Sequence, residues 1–342
     1  MTIEQIKDKL KSKEYDFLRT DKNLGNNIII LTLGGSHAYG TNNEGSDLDI
    51  RGCALNSKMQ ILTNENFEQF VNNETDTTIY AFNKLVALLS NTNPNTIEML
   101  GNKPEHYFYV SPIGQELIDN AHLFLSKRAC HSFGEYANQQ LYRLNQKAAH
   151  QMSQSELEKH ILKTLEFMQT DFTKKYTPYS DDSMKLYIDK AVQEGYDTEI
   201  FMDVNLTHYP LRDYCSMWNE LQNTVRQYGK IGKRNEKAIE HGKIAKHSMH
   251  LIRLYMMCLD ILEKERIITY REDEHDLLMD IRNGKYLDSN NQPIPEFFEM
   301  VNDYEKRLDY AKKNTSLPDN PNYKAINEFV ASVNERVVKG EF

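Results

Sequence analysis

Two aspartates separated by a single leucine, Asp47 and Asp49 in "SDLDIRG", are the residues of this chain whose types and spacing point most directly to chemistry. In an extended segment alternate side chains share a face, so Asp47, Asp49 and Arg51 project one way while Leu48 and Ile50 project the other. Two carboxylates that close repel each other unless a cation lies between them, and Mg²⁺ with oxygen ligands is the usual solution. Upstream, "LGGSHAYG" sets Gly34, Gly35 and Ser36 directly after an apolar run. Glycines let the backbone turn sharply and expose consecutive amides, and with the Ser36 hydroxyl these make an anion site suited to phosphate. Glycine turns and D-x-D pairs are each common alone; in succession they point to a metal beside a phosphate. Arg51 admits two roles, a phosphate contact or an ion pair that orients Asp49.

Such residues need a rigid support. The run "NIIILTL" (Asn27 to Leu33) predicts a central strand covered on both faces, and "DLDIRGCAL" (Asp47 to Leu55) and "DTTIYAF" (Asp76 to Phe82) predict two more. Near residue 112 the pattern changes to long helices, expected over Ser126 to Lys147, Ser153 to Thr170, Asp182 to Glu194, Asn235 to Glu265 and Glu274 to Arg282. Val204 to Tyr214 and Lys313 to Lys324 read as irregular. The fold class expected is α+β: a small mixed sheet with flanking helices in a catalytic domain over residues 1–112, then an all-α domain over residues 113–342.

Composition narrows the classes of function. With 342 residues the chain exceeds the usual span of one core. A net charge of −9 argues against wholesale nucleic-acid binding, so any phosphate contact has to be local. No apolar run approaches the roughly 20 residues that span a bilayer, and the charged start "MTIEQIKDKLKSKEY" has no apolar signal region. A cytoplasmic protein without membrane attachment is expected. Cys53, Cys130, Cys215 and Cys258 lie far apart with no C-x-x-C spacing, which predicts reduced thiols and neither zinc nor a disulfide framework.

The blocks "GGSHAYGT" and "SDLDIRG" resemble the signature of the DNA polymerase beta-type nucleotidyltransferase superfamily. More narrowly, those blocks with "NPNTIEML" (Asn93 to Leu100) and "KHSMHLIRL" (Lys246 to Leu254) resemble the predicted nucleotidyltransferases associated with RNA ligases and RNA repair, called RlaP. The resemblance implies that Gly35, Ser36 and neighbouring amides hold the triphosphate of an NTP. It implies too that Asp47 and Asp49 bind two Mg²⁺ ions, and that a third carboxylate serves the metal nearer the attacking hydroxyl. That third group is placed at Asp76, with Glu74 two residues earlier as the alternative. The acceptor implied is an RNA or tRNA end. The competing readings are a transferase that modifies a protein hydroxyl, in AMPylating fashion, and a catalytically silent nucleotide-binding module; intact Ser36, Asp47 and Asp49 speak against silence.

The helical half contributes one further expectation. Plotted at about 100° per residue, Ile244, Leu251, Ile252, Tyr255 and Leu259 share an apolar face, while Lys243, Lys246, His250 and Arg253 cluster nearly opposite. Such a stripe is either a solvated face or a wall of the nucleotide cleft, and its place in a block that carries the resemblance favours the cleft. Glu98, after an Asn-Pro turn, reads as a capping or pairing residue. Lys127, Arg128 and Arg143 offer themselves to an RNA strand only weakly.

Overall fold

The apolar run becomes strand β1 (Ile28–Leu33), and all six of its residues are buried. Each fully buried aliphatic side chain is worth about 1.5–3 kcal/mol, so β1 anchors the surrounding layers. Helix α1 (Ile3–Leu10), closed at its start by a Thr2–Gln5 capping box, contributes Ile6 and Leu10 to the core cluster that holds Ile28, Leu31 and Leu33. Helix α5 (Pro112–Asp119) packs closely on the same strand: a side chain at Gly114 would put its Cβ 2.1 Å from the Ile29 carbonyl oxygen.

Around β1 lie β2 (Ile50–Ala54), β3 (Gln69–Asn72), β4 (Thr77–Ala81) and β5 (Tyr107–Val110), in the order β3-β4-β2-β1-β5. β2 and β4 run parallel, with Ile50 beside Thr77; the other pairings are antiparallel. The parallel pair brings the residues just before each strand, Asp49 and Asp76, to the same end of the sheet as the C-terminus of β1. From there helix α2 (Gly35–Tyr39) departs. Helix α3 (Phe82–Ser90) follows β4 and α4 (Pro94–Ile97) follows it. Helix α11 (Tyr323–Lys339) docks on α3 through Phe329 against Phe82 and Asn334 bonded to Asn83.

The structure is a computed structural model and describes residues 1–134, 137, 154–176, 179–192, 198–227, 243–289 and 293–341. The chain divides into two units, one made of Met1–Gln140, Ser248–Lys285 and Pro295–Phe342, the other of Leu141–His247 and Tyr286–Ile294. The first contains the five-stranded sheet together with α9 (His275–Arg282), α10 (Pro295–Asn314) and most of α8 (Lys243–Lys264). The fold is α+β, a mixed sheet with flanking helices followed by a largely helical region.

The second unit departs from an all-helical expectation. Beside α6 (Gln154–Lys175) and α7 (Leu211–Gln227) it carries a hairpin of β6 (Met184–Lys190) and β7 (Thr198–Val204) where a helix over Asp182 to Glu194 was expected. The apolar residues Met184, Leu186 and Ile188 alternate, and they join Ile200 and Met202 in a cluster with Ile161, Leu165 and Phe172. Met184 and Ile188 also stand four apart, so this short run satisfies both periods and cross-strand pairing decides the outcome. Residues 228–242 and Arg143 lie outside the described residues.

Candidate active site

The glycine turn is shaped by the groups that press on it. Gly35 has φ of +57°, and a Cβ there would fall 1.9 Å from Asp49 Oδ2; at Gly34 it would fall 2.7 Å from Arg51 Cγ. Only glycine admits both the left-handed backbone and the approach of the carboxylate. The Gly34 amide donates to the Asp49 carbonyl at 2.9 Å, which ties the turn to the segment leading into β2. Ser36, partly buried, follows at the head of α2, where the first amides have no acceptor within the helix. Gly40, left-handed with φ of 76°, ends that helix.

One guanidinium binds the strands together. Arg51 Nη2 donates to Asp49 Oδ1 at 3.0 Å and stands 3.9 Å from Asp76 Oδ1. Its Nη1 donates to the carbonyls of Asp76 at 2.8 Å and Ile50 at 3.1 Å. Asp76 adopts a left-handed backbone, φ 47°, just before β4, an uncommon conformation that aspartate tolerates better than most residues. The structure thus sets Asp49 and Arg51 against Gly34 and Gly35, and Arg51 links them to Asp76. Asp47 is exposed two residues ahead of Asp49, with buried Leu48 between them as the alternation requires. Glu74 sits exposed in the preceding turn, its amide bonded to Asn72 Oδ1.

The three aspartates carry the oxygen donors that a hard divalent cation takes, though they stand apart. Asp47, Asp49 and Asp76 offer hard carboxylate oxygens, and the side-chain-free Gly35 leaves room for the Asp49 carboxylate alone. Among the described residues no three His, Cys, Asp or Glu side chains are gathered as a metal-binding group. Arg51 holds the charge-compensating position between Asp49 and Asp76.

Beneath the turn lies a buried ionic cluster whose Arg253 member was expected on a cationic stripe. Arg253 is 1% exposed, and every residue from Leu251 to Leu262 is buried, so this part of α8 has no solvated face. Its guanidinium lies 3.6 Å from the centroid of the Tyr39 ring, and its Nη1 is 3.5 Å from Glu98 Oε2. Nη2 donates to His250 Nδ1 at 2.9 Å. The Tyr39 hydroxyl donates to the same Glu98 carboxylate. Burial pushes the Glu98 carboxyl above its ordinary range, Arg253, Tyr39 and Arg51 pull it back, and Asp49 adds slightly to the rise. Lys246 is exposed and belongs to the other unit; the Lys243 side chain lies outside the described residues. A helical wheel could not show that Glu98, the residue read as pairing, would draw Arg253 inward.

The loop ahead of β2 has its own brace. Ser46 Oγ donates to Asn43 Oδ1 and accepts from Arg282 Nη2 at 3.1 Å. Buried His37, on α2, is held below its usual pKa first by desolvation, with Arg282 in the same sense and a Ser46 backbone bond opposing. Tyr39, His37 and Arg282 are supports that no spacing rule singles out.

Mixed sheet, glycine turn and aspartates at the ends of neighbouring strands together define the polymerase beta-like class of nucleotidyltransferases. Within that class the chain belongs to the RNA repair pathway DNA polymerase beta family, RlaP, which it matches over residues 5–332, nearly its whole length. No curated protein and no solved structure matches it. Among the described residues no helix is long and apolar enough to cross a membrane.

Proposed function

We propose that this protein transfers a nucleoside monophosphate from an NTP to an acceptor hydroxyl at an RNA or tRNA end, in a Mg²⁺-dependent reaction. The observation that carries the reading is Asp49 and Arg51 packed on the Gly34–Gly35 turn, with Asp76 joined to them through Arg51. In this reading Ser36 and the Gly35 and Ser36 amides receive the triphosphate, while Asp47, Asp49 and Asp76 hold two Mg²⁺ ions. Metal bound there supplies activation of the attacking hydroxyl and charge neutralisation on the leaving pyrophosphate. The remaining work is positioning. Arg51 holds Asp49 in place through their ion pair, and the acceptor oxygen attacks the α-phosphorus in line as pyrophosphate departs. The catalytic groups fall within residues 1–112; residues 113–342 brace them through Arg253 and Arg282.

The test is transfer from a labelled NTP by the parent chain and by Asp47→Asn, Asp49→Asn and Asp76→Asn, each shown by its melting curve to be folded at the assay temperature. Every variant should lose roughly a hundredfold or more in kcat, the scale on which preorganised electrostatic groups act. Near-parental transfer by Asp49→Asn overturns the reading. Label appearing on polypeptide and never on RNA moves the acceptor to a protein hydroxyl.

A further inference from the structure

A cavity of about 850 Å³ opens beside the catalytic unit's α4. The lining includes Lys127, Arg128, His131 and Lys312; among the described residues that line it the one carboxylate, Asp319, pairs with Lys127 at 3.2 Å. On a chain of net charge −9 this is a local concentration of positive charge. Asn91, Asn93, Pro94 and Asn95 complete this part of the lining. Arg128 donates to Asn91 Oδ1 at 2.9 Å and to the Tyr323 hydroxyl at 3.1 Å, so two bonds fix the guanidinium. Asn93 spends its side-chain oxygen on capping α4 at the Asn95 amide, which leaves its Nδ2 hydrogens for a ligand.

Strain sits in the same loop. Thr92, β-branched, is held at φ 53° and fully buried, and its hydroxyl has no hydrogen-bond partner. A β-branched residue at positive φ and an unpartnered buried hydroxyl are both unfavourable, and such features persist where a particular loop shape is required. Here the loop sets asparagine side chains in the same lining as lysine and arginine. The loop is also tied through the chain to the glycine turn: α4 leads from Asn93 to Glu98, and Glu98 is bonded to Tyr39 in the helix that begins at that turn.

We infer that this cavity seats the phosphodiester strand of a single-stranded RNA acceptor leading its end toward Asp49 and Asp76, an inference that rests on the transferase reading above. Lysine and arginine meet phosphate oxygens, and asparagine amides meet ribose hydroxyls and base edges. The volume is near the top of the range of about 300–1,000 Å³ usual for small-molecule sites, large for one phosphate group and apt for a short strand.

The experiment measures binding of a fluorescently labelled single-stranded RNA to the full-length protein by anisotropy across a salt series, with NTP affinity measured in parallel. Each phosphate contact contributes about 0.7 to the slope of log K against log salt. The double variant Lys127→Gln, Lys312→Gln should weaken RNA binding and flatten the slope by about 1.4, with NTP affinity and melting temperature unchanged. Asp319→Asn, which removes the opposing carboxylate, should tighten RNA binding. If the parent binds RNA and both variants match it in affinity and slope, the cavity is not the RNA seat, while the transferase reading stands. If the parent binds no RNA yet labels a polypeptide, the RNA acceptor fails and the inference with it. Loss of NTP affinity in the double variant would place these lysines at the nucleotide instead and also overturn it.

Discussion

Replacing Gly35 by alanine should damage the protein through one identifiable contact. The new Cβ would lie 1.9 Å from Asp49 Oδ2 and 2.6 Å from its Cγ, at a backbone φ of +57°. The left-handed conformation alone costs about 1–2 kcal/mol for a residue with a side chain. Asp49 has to swing away, which breaks its bond to Arg51, a charge-assisted hydrogen bond worth about 1.5–3 kcal/mol. That pair is about four-fifths buried, with side-chain exposures of 19% and 20%, so solvent screening takes little from it. The sum is a loss of about 2.5–5 kcal/mol. Asp49→Ala removes the colliding carboxylate and leaves a 3.1 Å contact with its Cβ, so in that background Gly35→Ala should cost little more than the strain. Denaturant unfolding of the parent, both single variants and the double variant closes the cycle, with an expected coupling of about 1.5–3 kcal/mol. Additive losses within about 0.5 kcal/mol would show that Asp49 does not rest on Gly35, and the packing argument for the turn would fall.

Two further outcomes follow from the buried cluster and the histidines. Arg253→Leu strands Glu98 in the core and should destabilise by about 3–5 kcal/mol, partly recovered by adding Glu98→Gln. Lys246→Gln should stay within about 0.5 kcal/mol of the parent, as surface changes do; equal stability of the Arg253 and Lys246 variants in urea would contradict the observed burial. His37 and His106 both have pKa values lowered from 6.5, each chiefly by desolvation. With folded values below the unfolded one, their contribution is fully present above about 6.5 and is lost as pH falls through the folded values. Unfolding free energy should therefore drop below that pH, and His37→Gln with His106→Gln should flatten the drop; an unaltered profile would refute it.

How far the site could be read from sequence depended on whether the cause was local. β1 and the glycine turn were legible because an apolar run of strand length followed by two glycines admits few other structures. The alternation of Asp47, Leu48, Asp49 and Ile50 extends just beyond the start of β2, with Leu48 and Ile50 buried and the aspartates outside the core. Arg51 was read with two roles, and the structure supplies the ion pair with Asp49. Arg253 was misread because a helical wheel ranks residues by their own helix, whereas Glu98 and Tyr39 approach from elsewhere in the chain. Their three-way contact is tertiary, and it buries a side chain that the wheel sets on a polar stripe, read as a wall of the nucleotide cleft. The β6–β7 hairpin was missed for a related reason: its short alternating run becomes a strand only through the facing strand and the helices beneath it.

The central claim is that the α-phosphorus of an NTP is passed to a hydroxyl at the Asp49–Asp76 end of the sheet. It is tested most directly with NTP labelled at either the α- or the γ-phosphate, incubated with Mg²⁺, total RNA and the full-length protein, parent and Asp49→Asn side by side. The account predicts that α-label becomes covalently attached to RNA, that γ-label leaves as pyrophosphate, and that Asp49→Asn does neither. Attachment of γ-label, or attachment of α-label that persists in Asp49→Asn, would contradict it.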